Sequence, residues 1–257
     1  MSADSSRTSP SLKGTDRYLD GSYRAPGDGE CKAADIVALL STVPNLPPLI
    51  RSYADVGCGD AKVFSAMLPE LAHLGFELER ACGFDVAPVP KEMEELPAYA
   101  SIQQEDFLLG EDHFDLVSLI DVVEHVLDPV GFIKAIAPRS RFLLFHIPLD
   151  DRLSVLLSDQ WNYRLQSVGH LSFWNPASAL TMLTSAGVEP LACSFTGGFR
   201  YPSGRVRRVQ RLVFPFRWLL WKLSPGFAAQ TIGGVSLAVL CKGRDDGTTF
   251  DMDGCKN

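Results

Sequence analysis

The sequence predicts an α/β protein built on a doubly wound, mostly parallel sheet. Three observations carry that expectation. Apolar runs of strand length alternate with amphipathic segments of helical length, and strands joined through helices form a sheet covered on both faces. The first such strand runs directly into a turn carrying Gly57 and Gly59. The last two strands are joined by a long basic, aromatic segment in place of a regular helical crossover, which fits a closing hairpin-like pair. Together these give a Rossmann-like, seven-stranded sheet with an antiparallel last strand and a helical, aromatic cap insertion.

The elements follow in order. AADIVALL (33–40) reads as a helix with Ile36, Leu39 and Leu40 on one face. SYADVG (52–57) is a short buried strand and AKVFSAML (61–68) the helix after it. ACGFDV (81–86), YASIQQEDF (99–107) and FDLVSLIDV (114–122) are the second, third and fourth strands. Asp128 and Pro129 form an N-cap and first-turn pair for a helix through about Ile136, and RFLLFHI (141–147) is the fifth strand. Asn175 and Pro176 start another helix that stops at Gly187. A sixth strand is expected near Leu191–Phe195, and VSLAVLC (235–241) is the last.

Composition bounds the answer. The chain has 257 residues, 46% hydrophobic and 21% charged, enough for one large α/β domain and unlike a disordered chain. Ser-rich residues 1–16 and the polar stretch 243–257 are expected to be disordered tails. The domain is expected over 17–242, with insertions at about 148–175 and 197–233. A net charge of −7 argues against wholesale nucleic-acid binding. Residues 190–244 nevertheless carry nine Lys or Arg and no acid, which marks either a local anion or membrane-surface contact or a solvated balancing face. Six cysteines without a CxxC pair, and no secretory signal, lead to the expectation of a reduced cytoplasmic protein.

The segment YADVGCGD (53–60) carries the chemistry. A strand ends at Asp55 and two glycines make the turn, where a Cβ would hold a bulky ligand away from the backbone. In an open parallel sheet such a turn lies at the carboxyl ends of the strands, where ligands bind. Lys62 stands where a dinucleotide fingerprint has its third glycine. An acid two residues before the first glycine suits a ligand bearing an ammonium group better than a pyrophosphate. Two more strand-end acids follow, Asp85 in GFDV and Asp106 in QQEDF.

On these residues the chain resembles the class I S-adenosylmethionine-dependent methyltransferases, from about Tyr18 to Lys242. The resemblance implies S-adenosylmethionine as cofactor. It implies that Asp55, Gly57 and Gly59 surround the methionine part and that Asp85, with Val86 beside it, accepts the ribose hydroxyls. Asp106 would receive the adenine amino group with Phe107 beside the ring, and Asp121 and Val122 in DVVEHVLDP would line the methionine side. One spacing departs from the simple pattern. Asp85 lies 28 residues beyond Gly57, longer than the roughly 20 of a dinucleotide unit. Either the first helix extends through LAHLGFELER or the ribose acid is a different residue.

A hydroxyl acceptor requires a base; His125 follows the fourth strand, His146 ends the fifth, facing the cleft, and His170 lies in VGHLSFW. Each also has a plain structural reading as a packed or capping histidine. FHIPLDD (145–151) and VGHLSFWNPASALTML (168–183) resemble segments of bacterial methyltransferases of surface-polysaccharide or secondary-metabolite pathways. No HxxxH or His/Cys cluster of metal spacing occurs, so no metal is expected. Trp161, Tyr163 and Trp174 either wall an acceptor pocket or pack in the core. Tyr18 and Tyr23 fall where the family has a lid.

The segment 200–227 mixes Arg205, Arg207 and Arg208 with large apolar residues. It reads as a cap meeting an anionic acceptor, as a peripheral contact with anionic lipid, or as an ordinary packed helix. The expected activity is methyl transfer to a small-molecule or glycan acceptor at oxygen. The alternatives are a nicotinamide-dependent oxidoreductase and a non-catalytic cofactor-binding module. A nucleic-acid base acceptor is disfavoured, because IDVVEH stands where a Pro-Pro-aromatic segment would grip a flipped base.

Overall fold

The computed structural model describes residues 28–88, 95–158, 160–201 and 208–243. Seven strands form one sheet in the order β3-β2-β1-β4-β5-β7-β6. They are β1 (Ser52–Val56), β2 (Arg80–Phe84), β3 (Ala100–Gln103), β4 (Phe114–Ile120), β5 (Ser140–Pro148), β6 (Glu189–Thr196) and β7 (Ser236–Lys242). The first five run parallel, and β7 is antiparallel to both β5 and β6. This is the Rossmann-like sheet with an antiparallel last strand that the sequence predicts.

The strand order positions the site. From β1 the chain winds outward through β2 and β3, then returns to place β4 on the other side of β1. The direction of winding reverses between β1 and β4, so the connections leaving their carboxyl ends diverge and open a crevice there. Asp55 and Gly57 stand at one wall of that crevice, Asp121 and Val122 at the other.

Alternation along the strands sends side chains to two cores. Val117 and Leu119 of β4 join Val56, Phe84, Phe145 and Leu183 on one face. Leu116 and Ile120 join Tyr53, Phe64, Leu68 and Leu144 on the other. The second face is covered by α1 (Gly29–Leu40), whose Ile36, Leu39 and Leu40 are buried as its periodicity predicts, and by α2 (Lys62–His73). The first face is covered by α3 (Pro129–Ile136) and α6 (Pro176–Ser185). Removing a large aliphatic side chain from either core costs about 2–5 kcal/mol.

Helix α2 runs a turn beyond its expected end, through Pro69. A proline inside a helix loses one hydrogen bond, and burial of Leu68, Leu71 and Phe76 compensates locally. The helix stops at Gly75 (φ +87°), where Phe76 N–H reaches back to Leu71 O at 3.1 Å. The caps read from sequence are present. Asp128 accepts from Gly131 N–H at 2.9 Å, and Asn175 and Ser178 form a reciprocal capping box. Strand β3 is shorter than expected, because Asp106 instead caps a turn of 3-10 helix over Phe107–Leu109.

Two excursions lie beyond the crevice. Between β5 and α6 come α4 (Leu153–Leu157), α5 (Gln160–Tyr163) and a π-helical turn, Arg164–Val168. Between β6 and β7 come α7 (Arg208–Leu223), with Pro215 inside it, and α8 (Pro225–Thr231). Among the described residues no helix is long and apolar enough to cross a membrane.

Candidate active site

The glycine turn is built by close approach. Gly57 and Cys58 N–H both donate to Phe84 O, at 2.7 and 3.1 Å, which folds the chain tightly over the end of β2. Gly57 has φ +79°, and a Cβ there would lie 2.6 Å from Val122 Cγ2. Only glycine satisfies both the backbone conformation and the gap. Gly59 has φ +57°, and a Cβ there would meet nothing within 4 Å, so open space lies above the turn. Its N–H donates to Asp85 Oδ2 at 2.7 Å, while Ala87 N–H donates to Asp85 Oδ1 at 2.8 Å. That bond answers the long spacing. The extended α2 lengthens the sequence interval, and Asp85 still arrives at the turn.

Asp55 lies beneath the turn, 2% exposed. Ser118 Oγ donates to its Oδ1 at 2.6 Å, and Tyr53 Oη pairs with Ser118 Oγ at 2.8 Å. Burial pushes the Asp55 carboxyl up to about 7; Ser118's hydrogen bond opposes this and the charge of Asp85 adds to it. Two carboxylates thus share one crevice with neither paired to a cationic side chain among the described contacts. A ligand bringing a sulfonium and an ammonium supplies the missing charge. S-adenosylmethionine fits this donor set.

The third acid, Asp106, accepts from Leu108 N–H at 2.9 Å. The ring of Phe107 is in the core, edge-on to Phe84 with centroids 5.0 Å apart and under the Arg139 guanidinium at 3.8 Å. Val86, next to Asp85, is 57% exposed and presents the apolar surface here.

At the opposite wall Asp121 adopts φ +56°, a conformation that costs a non-glycine residue and marks a constrained site. Its Oδ2 accepts from Lys32 Nζ at 2.8 Å and its Oδ1 from His146 Nδ1 at 2.6 Å. Burial works to raise this carboxyl, yet Lys32 and His146 hold it well below the usual carboxylate range. His146 is buried and bridges three strands, with Thr196 Oγ1 at 2.8 Å from Nε2. Both of its ring nitrogens are therefore engaged inside the protein.

His125 and His170 meet instead at the mouth of β4, with ring centroids 5.0 Å apart and planes at 78°. His125 Nδ1 lies 2.9 Å from Gly169 O, which places its proton on Nδ1 and the ring lone pair on Nε2. Leu171 N–H donates to Glu124 O at 2.7 Å, pinning the His170 loop to the turn that carries His125. His170 Nδ1 lies 2.9 Å from Asp150 Oδ2, and Arg152 and Arg164 pair with the same carboxylate. Burial acts to raise Asp150, but the His170 hydrogen bond and the two guanidiniums bring it below its ordinary value. Burial also depresses His125, to about 4, with the neighbouring His170 adding to the effect. Glu124 is 1% exposed, and neither of its carboxyl oxygens has a hydrogen-bond partner among the described residues.

The structure thus gathers Asp55, Gly57, Gly59, Asp85 and Val86 around the turn, and Asp121 faces them across the crevice. It separates His146 from His125 and His170. Glu124, Asp150 and Lys32 were missed in the sequence. Only the adjacency of Glu124 to His125 and the LDD stretch were there to signal the first two. Trp174 packs against the core, Trp161 stacks edge-on with Phe173 at 4.5 Å, and Tyr163 is 57% exposed. Arg200 pairs with Asp35 at 2.7 Å, so part of the basic stretch ties the cap to α1. Tyr18, Tyr23, Arg205, Arg207 and the side chain of Arg208 lie outside the described residues.

Residues 26–192 match a methyltransferase-domain family. No curated protein matches the chain in sequence. The fold is similar to that of the mitomycin 7-O-methyltransferase (TM-score 0.51, 17% identity, 82% of this chain and 54% of that one). The chain therefore spans about half the length of that enzyme. It is also similar to a magnesium protoporphyrin IX methyltransferase from Synechocystis PCC 6803 with bound SAH (TM-score 0.51, 15% identity, covering 84% and 83%). A third similar structure is a putative methyltransferase in complex with the Haloferax volcanii Trm112 activator (TM-score 0.51, 14% identity, covering 86% and 99%). With its strand order, its glycine turn and this family match, the chain belongs to the class I S-adenosylmethionine-dependent methyltransferases and is an enzyme of that class.

Proposed function

We propose that the enzyme transfers a methyl group to a hydroxyl of a small-molecule or glycan acceptor. The observation that carries this reading is the Asp150–His170–His125 cluster at the mouth of β4, across the crevice from the glycine turn. A carboxylate held ionised by two arginines fixes His170 with its proton on Nδ1, so the Nε2 lone pair is the one that serves the acceptor, directly or through a bound ion. In this reading the cluster takes charge of the hydroxyl proton, while His146 keeps Asp121 in place from inside the sheet.

S-adenosylmethionine, when bound, supplies an electrophilic methyl on sulfur. The protein's residues do the rest by position. Asp85 receives ribose hydroxyls, Asp106 the adenine amino group, and Val86 covers the ring. Phe107 supports that pocket from the core. Asp55 faces the positive charge of the methionine part. Because the Asp121 carboxylate already serves Lys32 and His146, Asp121 lines the pocket with backbone.

The basic stretch around α7 supports an anionic acceptor or an anionic lipid surface near it. Leu212, Phe216 and Leu219 are exposed on that helix, at 82%, 63% and 49%. Six cysteines with no CxxC pair support a cytoplasmic setting.

The test is transfer of labelled methyl to a panel of hydroxylated metabolites and sugars, read by mass spectrometry, with calorimetry for S-adenosylmethionine and NAD in parallel. His170→Ala is expected to bind cofactor normally and to lose about 10²–10⁴-fold in turnover. Binding of NAD alone would support the oxidoreductase alternative. Cofactor binding with no methylated product across the panel would support a binding module.

A further inference from the structure

We infer that Glu124, His125 and His170 form a binding site for one divalent transition-metal ion beside the methyl-transfer crevice. One ligating atom from each of the three lies within 4.8 Å of the others. The chemistry is that of two imidazoles and a carboxylate, the donor set that zinc and other first-row metals take at catalytic sites.

Three further observations point to a ligand. Glu124 is 1% exposed, and among the described residues neither of its carboxyl oxygens has a hydrogen-bond partner. His125 Nε2 lies 3.9 Å from its Oε1, too long for a hydrogen bond. A carboxylate in that position is costly to bury unless something positive completes it. The second observation concerns the rings. Gly169 O and Asp150 Oδ2 take the Nδ1 position of His125 and His170, each at 2.9 Å, and so direct both lone pairs to Nε2. A carbonyl or carboxylate on the far nitrogen is the arrangement that orients histidine for a metal and raises its basicity. The third is preorganisation. The His170 loop is clamped to the Glu124 turn by Leu171 N–H and Ser172 N–H on Glu124 O, at 2.7 and 3.1 Å.

Ligands about 2.0–2.1 Å from a tetrahedral ion stand roughly 3.3 Å from one another. The three atoms, within 4.8 Å of one another, would have to approach by at most about 1.5 Å to bind one ion. Three protein ligands leave a coordination position open, the signature of a catalytic rather than a structural site. Sequence spacing concealed the set, since His170 lies 45 residues from His125.

The inference rests on the hydroxyl-acceptor reading for its purpose: an ion there would polarise an acceptor oxygen and ease loss of its proton to solvent. The oxygen would then form its bond to the methyl carbon as the methyl–sulfur bond breaks, the electron pair going to sulfur. Metal binding itself can be read without turnover. The full chain, freed of metal with chelator, is titrated with Co²⁺ and followed by visible absorption, with Zn²⁺ calorimetry and cofactor calorimetry alongside. One equivalent of Co²⁺ is expected, displaced by Zn²⁺. Glu124→Gln and His170→Asn should each weaken metal affinity at least tenfold while binding S-adenosylhomocysteine as the wild type does, which shows that they fold. Absence of Co²⁺ and Zn²⁺ binding by the wild type, or equal binding by both variants, overturns the site. Metal binding without methyl transfer leaves the site standing and removes the proposed function. Transfer at full rate in chelator leaves that function standing and removes the metal.

Discussion

Replacing Asp55 by asparagine separates what the carboxylate costs the ligand-free fold from what it gives the bound cofactor. The amide keeps the shape and the bond from Ser118, which donates to Oδ1 at 2.6 Å in the native protein. The native carboxyl sits at about 7 against 3.8 for an ordinary aspartate, raised chiefly by burial. Because its folded value lies above its unfolded one, the protein is favoured below pH 3.8 and loses that advantage progressively as pH rises to about 7. At 1.36 kcal/mol per pKa unit, the full penalty at pH 8 is about 4 kcal/mol, and about 2–4 is a fair range for a side chain this buried. A neutral amide does not carry that penalty. The Asp55→Asn variant should therefore melt about 4–16 °C higher than wild type at pH 8 without cofactor, with a smaller gap at pH 5. It should also bind S-adenosylmethionine less well at pH 8, by about 1.5–3 kcal/mol for a lost charged contact, or roughly 10–150-fold. Differential scanning fluorimetry across pH and calorimetry at pH 8 read both. A variant less stable than wild type at pH 8, or a melting difference independent of pH, would refute the electrostatic reasoning.

Other consequences are independent of this one. Asp85→Ala should weaken cofactor binding strongly, since it would remove both the proposed ribose contacts and the acceptor for Gly59 N–H; unchanged affinity by calorimetry would show that the ribose acid is a different residue. Gly57→Ala should lower the melting temperature and abolish cofactor binding, because its Cβ meets Val122 at 2.6 Å with φ at +79°. Adding Val122→Ala should recover part of the stability, and no recovery would mean that the backbone strain alone is responsible. Vesicles containing phosphatidylglycerol should sediment the wild type and release a Phe216→Asp variant if α7 meets lipid; equal sedimentation of the two removes that contact.

The parts of the site that were legible in the sequence are those in which neighbours along the chain are also neighbours in space. Asp55, Gly57 and Gly59 lie in one strand-turn unit, so their arrangement follows from the strand's end and the glycine conformations. Asp85 was legible as a strand-end acid, but its place against Gly59 depended on how far α2 runs, which Pro69 obscured. Phe107 shows the limit of pattern reading. The residue after Asp106 turns inward with the capped 3-10 turn, and strand alternation extrapolated through 99–107 misses that turn. His146 looked like a cleft residue because it nears the end of β5, yet its side chain points into the bridge between Asp121 and Thr196. The Glu124–His125–His170 cluster depends on a loop 45 residues away folding back through hydrogen bonds to Glu124 O, and no local spacing encodes that.

The decisive observation is a crystal structure of the chain grown with S-adenosylhomocysteine. The ribose hydroxyls should lie within hydrogen-bond distance of Asp85, the homocysteine part over Gly57 and Gly59 beside Asp55, and the sulfur should face the mouth of β4. Ligand density away from that turn, or a ribose with no contact to Asp85, would contradict the assignment of the crevice.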